Sequence, residues 1–386
     1  MFVGWRDLRF AKGRFALMGT VIVLITVLVG LLSGLTAGLG RQNVSAITGL
    51  RADRIAFNAP SGGAALSYAN STVTARQWRQ WAGTPGVTGA EPLGITVTRA
   101  VAGAKTVGVS AFGVRPGSAL APDGAGIGEH TAVLSASAAD DLGVRPGGTL
   151  TLAGRELTVA AIRGDAHFSH TPVIWTSLDV WRRTAPPTGP EGPPAGGAAV
   201  AGPAADGLTA GGPAADGPTA TVIALTTTSR ADVKAADKAA GTRTVSKGAS
   251  LSAIGSYTSE NGSLQLMRGF LFAISALVIG AFFTVWTIQR SGDVAILKAL
   301  GASTAGLLRD ALGQAIVLLT GGTLVGTAVA VALGALVAGS SVPFVLTLAT
   351  VLFPAAVMIL LGAIGAALSV RRITSVDPLT ALGSAR

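Results

Sequence analysis

The sequence predicts a membrane protein: an α-helical transmembrane bundle of four helices, one plus three, with a mixed α+β domain between helices one and two. Three observations predict it. Only 12% of residues are charged and 49% are apolar, with a mean hydropathy of +0.56, whereas soluble domains carry about 25% charged residues. Charge is absent from Phe15 to Gly40, from Gly269 to Gln289 and from Ala311 to Val370. The long segment between the first two of these stretches has the alternation and turn residues of a globular domain.

A bilayer core of about 30 Å needs about 20 apolar helical residues. The first two stretches fit one helix each, 16–39 and 268–289. The third fits two, 311–338 and 344–370, broken at Gly339-Ser340-Ser341-Val342-Pro343. The first stretch exceeds the apolar region of about 7–15 residues in a cleaved signal peptide and has no evident small-residue cleavage site, so it reads as a retained helix. Lys and Arg near the membrane ends set orientation. Arg6, Arg9, Lys12 and Arg14 precede helix one, Arg290, Lys298 and Arg309 lie between helices two and three, and Arg371, Arg372 and Arg386 follow helix four; Asp7, Asp293, Asp310 and Asp377 are the acidic residues of the same segments. This excess predicts a cytoplasmic N-terminal segment (1–15), a cytoplasmic loop (290–310) and a cytoplasmic tail (371–386) of a multi-pass protein of the plasma (inner) membrane, with 41–267 extracytoplasmic. Much of the net charge of +10 and the pI near 10.9 is then an orientation signal, and no nucleic-acid partner is expected.

Within 41–267 the pattern alternates. Ala52–Asn58, Ser71–Thr74, Gly94–Val101, Thr106–Val114, Thr221–Thr226 and Thr242–Ser246 read as strands. Thr149–Leu152 and Glu156–Ile162 flank a hairpin turn at Ala153-Gly154-Arg155. Ala75–Ala82, Ser135–Leu142 (closed by Gly143) and Ser229–Ala240 (opened by Ser229, closed by Gly241) read as helices. Residues 185–220 are almost wholly Ala, Gly, Pro and Thr, and Gly202-Pro203-Ala204-Ala205-Asp206-Gly207 returns as Gly212-Pro213-Ala214-Ala215-Asp216-Gly217. Such a composition buries too little apolar surface to offset chain entropy, so a disordered insertion is expected.

Several chemistries are excluded or disfavoured. The absence of cysteine rules out disulfides, thiolate metal sites and cysteine nucleophiles. Gly103-Ala104-Lys105-Thr106 lacks the glycine that a phosphate-cradling loop needs before its lysine, so the chain itself is not expected to hold ATP. Asp165, His167 and His170 cluster before a strand, and His130 is distant; without enough ligands the cluster reads as an exposed polar turn, with no metal. Asp140-Asp141 begins no acid–base constellation, and no Gly-x-Ser-x-Gly elbow occurs. No catalytic residue is assigned. Apart from Arg268 at the very start of helix two, the predicted spans contain no ionisable residue, unlike those of ion-coupled carriers. Gly30, Gly34 and Gly38 recur every four residues in helix one, and Gly322 and Gly326 in helix three. Such faces admit close helix packing, within a bundle or between copies.

The segment Arg290-Ser291-Gly292-Asp293-Val294-Ala295-Ile296-Leu297-Lys298-Ala299-Leu300-Gly301-Ala302-Ser303 reads as a two-turn amphipathic helix. Val294, Leu297 and Leu300 share one face with Ile296 beside it. Asp293 and Lys298 suit the helix dipole. Gly301 can close this helix and Ser303 can cap the next. The bland alternative is a helix resting on lipid headgroups; its brevity favours a peg for a partner's cleft.

This segment closely resembles the motif after the second membrane helix in MacB/FtsX-type ABC transporter permeases, where an Arg and an acidic residue precede Ile-Leu-Lys-x-Leu-Gly-Ala-Ser. Asp293 stands where Glu is commoner. Trp5-Arg6-Asp7-Leu8, with Lys12 and Arg14, looks like the family's start. Val376-Asp377-Pro378-Leu379-Thr380-Ala381-Leu382 is similar to its Asp-Pro-x-x-Ala-Leu ending. Val133-Leu134-Ser135 through Gly147-Gly148-Thr149 resembles its MacB-like external domain, with Gly147-Gly148 in place of the usual Gly-Asp. The resemblance implies a permease dimer, identical or mixed, in membrane lipid, with a cytoplasmic ABC ATPase subunit that holds ATP and Mg; no cofactor is implied in this chain. It implies mechanotransmission: Arg290, Asp293, Val294, Ile296, Leu297, Lys298, Leu300 and Gly301 form the ATPase-coupling segment, and an amphipathic substrate is exported or extracted. The alternative is an FtsX-like transducer that drives an extracytoplasmic adaptor or cell-wall hydrolase, or signals, without transport. The roughly 225-residue outer domain favours the MacB-like form.

Overall fold

The computed structural model describes residues 12–184, 218–289, 292, 296, 301, 303–337 and 342–374. Its helices are α1 (Lys12–Thr48), α2 (Ala75–Ala82), α3 (Ala136–Leu142), α4 (Leu178–Thr184), α5 (Val233–Ala240), α6 (Gly255–Gln289), α7 (Thr304–Val337) and α8 (Leu348–Thr374). The strands are β1 (Arg54–Asn58), β2 (Val73–Thr74), β3 (Val87–Ala102), β4 (Lys105–Val114), β5 (Thr131–Leu134), β6 (Thr149–Leu152), β7 (Arg155–Ile162), β8 (His167–Phe168), β9 (Thr171–Ser177), β10 (Pro218–Ala220), β11 (Val222–Thr227) and β12 (Thr242–Ser246). The chain divides into two compact units, Met1–Gly40 with Asn261–Arg386, and Arg41–Glu260.

The first unit is built from α1, α6, α7 and α8, each long and apolar enough to cross a membrane. This is the one-plus-three arrangement the sequence predicts. Its core includes Ile22, Val29, Ile279, Phe283, Leu319 and Met358. Leu24, Leu277, Leu336 and Leu348 stay exposed, as suits helices whose solvent is hydrocarbon. The helices outrun the charge-free stretches. Helix α1 continues to Thr48, α6 begins at Gly255, α7 begins at Thr304 and so takes in Arg309 and Asp310, and α8 covers Leu348–Thr374. Charge marks where a helix leaves hydrocarbon, not where its hydrogen bonding stops.

The second unit is α+β. Strands β3, β4, β9, β5, β7 and β6 pair in that order, and β6 returns to β3 through Ala100–Leu152 and Val101–Thr151. A six-stranded barrel results, in which β4–β9 and β5–β7 are parallel and the other pairs antiparallel. Strand β3 is 16 residues long. Its second half serves the barrel, and its first half pairs with β11, which leads to β1 and β12.

Alternation sorts side chains onto two faces. On β4, Val109 and Ala111 join Leu134, Leu150 and Leu157 in one core. Phe112 and Val114 join Phe57, Tyr68, Trp175, Ile47 and Ile254 in the other. The second core is an aromatic chain: Phe57–Tyr68, Tyr68–Phe168, Phe168–Phe112 and Phe112–Trp175 meet edge to face at 4.9–5.6 Å, the geometry the ring quadrupoles favour.

Local signals account for most element ends. Helix α2 starts in a capping box, with Thr74 Oγ1 accepting from Gln77 N and Gln77 Oε1 accepting from Thr74 N. Ser135 caps α3, and Gly143 closes it at φ 70°. Ala153 and Gly154, both at positive φ, make the β6–β7 turn, so β7 begins at Arg155, one residue before the expected Glu156. Two expectations are corrected. Helix α5 opens at Asp232, whose carboxylate accepts from Ala235 N, not at Ser229; Thr228 is instead tied to Gly86 by its backbone N–H and hydroxyl. The predicted insertion ends too late: Pro218–Ala220 form β10 against β2, because pairing there buries Ala220. Residues 185–217 lie outside the described residues.

Candidate functional site: the helix-two to helix-three connection and the glycine seams

Of the proposed coupling segment, the structure describes Gly292, Ile296, Gly301 and Ser303. Gly292 and Ile296 are helical, and Ile296 is 57% exposed, an apolar side chain without cover. Gly301 lies in a turn at φ 90°, a backbone state that glycine adopts without the Cβ penalty. Ser303 Oγ accepts from Gly306 N at 3.2 Å, and its carbonyl accepts from Leu307 N, so Ser303 caps α7. Arg290, Asp293, Val294, Leu297, Lys298 and Leu300 lie outside the described residues.

The glycine faces are occupied within the chain. A Cβ built on Gly322 would lie 2.8 Å from Ile22, one on Gly326 2.7 Å from Thr26, and one on Gly30 2.9 Å from the Ala330 Cβ. These contacts ascend together along both helices, so α1 and α7 run parallel. Higher up, a Cβ on Gly34 would meet the Phe344 ring at 2.3 Å and one on Gly38 the Pro343 carbonyl oxygen at 1.9 Å. The Gly34 carbonyl also accepts from Val345 N. The chain before α8 is thus laid against α1 where only hydrogen leaves room.

In the second unit, a cavity of about 450 Å³ is lined by Tyr68, Ile95, Val97, Phe168, Ile254 and several hydroxyl-bearing residues. Tyr68 donates to Ser250 Oγ at 2.9 Å. Burial raises its hydroxyl well above the ordinary phenol range, with the Ser250 bond pulling the other way. The Asp165, His167 and His170 cluster does not converge. Asp165 caps α3 through Ser137, and His167 Nδ1 is 3.8 Å from it. His170 turns instead to Glu260 at 2.6 Å. No group of three or more His, Cys, Asp or Glu capable of holding a metal occurs among the described residues. Glu260 and Asn43, which meet His170's turn, were not singled out in the sequence; their separation along the chain leaves no local signal.

Residues 266–378 match the FtsX-like permease C-terminal family. This region, about three tenths of the chain, is similar to FtsX-like permease C-terminal domains. It takes in α7, α8, most of α6 and the whole α6–α7 connection. Among curated proteins, the chain is 38% identical over 143 residues to the putative hemin transport system permease protein HrtB of Staphylococcus haemolyticus, covering 37% of this chain and 40% of that protein. It is 30% identical over 158 residues to the protein of the same description from Staphylococcus epidermidis, covering 40% and 44%. It is 32% identical over 126 residues to the pyoverdine export ATP-binding/permease protein PvdT of Pseudomonas syringae pv. tomato, covering 32% and 19%. The matches span less than half the length of these relatives. Among solved structures, the periplasmic region of MacB from Actinobacillus actinomycetemcomitans aligns at 12% identity and a TM-score of 0.33, over 53% of this chain and 92% of that one.

Proposed function

We propose that the chain is the permease subunit of an ABC export system and works with a separate ATPase subunit that holds ATP and Mg. The observation that carries this reading is the FtsX-like permease match across the α6–α7 connection, where an apolar Ile296 stands exposed. ATP hydrolysis in the partner would move α6 and α7 through this connection. With no phosphate-cradling loop of its own, the chain would act by mechanotransmission. Lys and Arg distribution supports cytoplasmic termini and an extracytoplasmic 41–260 unit. Two copies of the permease, or this chain and a second permease, would complete the assembly. The names of the relatives, a hemin transport system permease and a pyoverdine export protein, support transport of a molecule, which we take to be amphipathic, over the rival reading of a transducer acting on a cell-wall hydrolase.

The test is capture of the detergent-solubilised chain beside Leu297→Asp, with mass spectrometry of what is retained. An ABC ATPase held by the wild type and reduced at least tenfold by the variant is the expected result, since a buried unpaired carboxylate is expensive. No ATPase in either sample, with the protein folded, overturns the assignment. Orientation has its own test. Because the chain lacks cysteine, single cysteines at Arg99 and Ile296 can be labelled without background. A membrane-impermeant maleimide is expected to reach residue 99 in intact cells and residue 296 only after permeabilisation; the reverse pattern would invert the topology.

A further inference from the structure

We infer that Glu260 is the positioning residue that joins α1 and α6 to the Phe168–Thr171 turn, and that the ATP-driven movement described above reaches the 41–260 unit through this joint. The inference rests on that functional reading. All of the contacts lie within 41–260. Glu260 Oε2 is 2.6 Å from His170 Nε2 and accepts from Asn43 Nδ2 at 3.1 Å. Asn43, on α1, is buried, and its amide oxygen accepts from Ser256 Oγ on α6 at 2.9 Å. Ser256 Oγ is 3.1 Å from Ser169 Oγ, which closes the ring of contacts. The turn also binds α1 through its backbone: Ser169 N donates to Asn43 O at 3.0 Å and His170 N to Gln42 O at 3.1 Å. One turn away, Ser45 Oγ accepts from His167 N.

Two features make this more than ordinary packing. Ser169 and His170 both have positive φ, 49° and 65°. They are the two central residues of the β8–β9 hairpin, whose tight turn calls for positive φ at both positions and usually takes Asn or Gly there, so contacts from α1 and α6 help to hold Ser and His in it. The Glu260 side chain is also 42% exposed. Ion pairs this accessible to water add little stability, so what Glu260 supplies is register between three elements. Helix α6 runs unbroken from Ser256 and Glu260 to Gln289, at the threshold of the coupling segment. A displacement of α6 therefore acts on His170 and, through Asn43, on α1.

The test uses the full chain in nanodiscs with its co-expressed ATPase. Backbone hydrogen exchange is measured with and without ATP for wild type, Glu260→Ala and Glu260→Gln. In Glu260→Ala, exchange of the Ser169 and His170 amides is expected to rise at least tenfold with β4 and β7 unchanged. The ATP-dependent change in exchange across the 41–260 unit is expected to vanish while ATP hydrolysis continues. Glu260→Gln keeps an oxygen acceptor and is expected to restore both. Wild-type exchange at the turn, a rise spread over the whole barrel, or an intact ATP response in Glu260→Ala would each overturn the inference. If Glu260→Ala does not accumulate, His170→Ala removes the same contact from the other side and takes its place. Absence of any ATPase with the wild type counts against the ABC reading itself, and is thus distinguishable from failure of the joint alone.

Discussion

Gly38→Val is expected to stop the helical unit from reaching its folded arrangement, while Gly40→Val two residues on is expected to be tolerated. A Cβ at position 38 would sit 1.9 Å from the Pro343 carbonyl oxygen and 2.4 Å from its carbon. These are backbone atoms and cannot swing aside like the end of a side chain. Overpacking alone costs about 1–3 kcal/mol, and relief here requires lifting the chain before α8 from α1, with loss of the Val345-to-Gly34 hydrogen bond. At Gly40 no atom lies within 4 Å of the added carbon. Both variants put the same β-branched residue into the same helix, so helix propensity cancels. The measurement is the monodisperse fraction and thermal midpoint in detergent. Equal behaviour of the two variants would show that the Pro343 segment does not rest on α1.

Trp81→Ala is expected to destabilise the 41–260 unit by about 3–5 kcal/mol, as for other buried aromatic truncations. Trp81 is fully buried at the end of α2. Its Nε1–H donates to Thr242 Oγ1 at 3.0 Å, and that hydroxyl donates to Asp237 Oδ1. The indole therefore links α2 to the first residue of β12 and to α5. Trp81→Phe should recover part of the loss, since it keeps one aromatic ring in the core but leaves a smaller cavity and forfeits one hydrogen bond of about 1 kcal/mol. Chemical denaturation of the full chain followed by far-ultraviolet circular dichroism checks both. A Trp81→Ala midpoint equal to wild type would mean that the site collapses without a cavity.

Much of the architecture is legible in the sequence because its signals are local. Absence of charge marks the membrane helices, and the closing glycines Gly143 and Gly241 mark the ends of short helices. Helix α2 and strand β12 appear at their expected limits. Local signals fail where tertiary contacts decide. The run from Gly255 to Met267 is polar, yet it is helical as the continuation of α6 and packs Tyr257 against the core. Strand β5 is four residues long and α4 seven; their places depend on β9 and on Trp181 lying against Gly94 and Gly113. Sequence reading picked out His170 but paired it with its neighbours, because nothing within a window of a few residues points to Glu260, 90 positions away. The coupling motif is the reverse case: it is recognisable in sequence, and most of its side chains fall outside the described residues.

The pairing of β1 has a consequence for how the protein is made. Among the described residues, strand β1, at Arg54–Asn58, pairs with β11 on one edge and β12 on the other, whereas every strand of the six-stranded barrel falls between Val87 and Ser177. As the chain emerges, the barrel can close while β1 still offers both bare edges. Its partners arrive some 170–190 residues later, roughly 10–40 s at synthesis rates of about 5–20 residues per second. Unpaired edges recruit strands from other chains. The Arg54–Asn58 edge is therefore the place where a nascent chain is most exposed to wrong partners, and where a binding chaperone would do the most good.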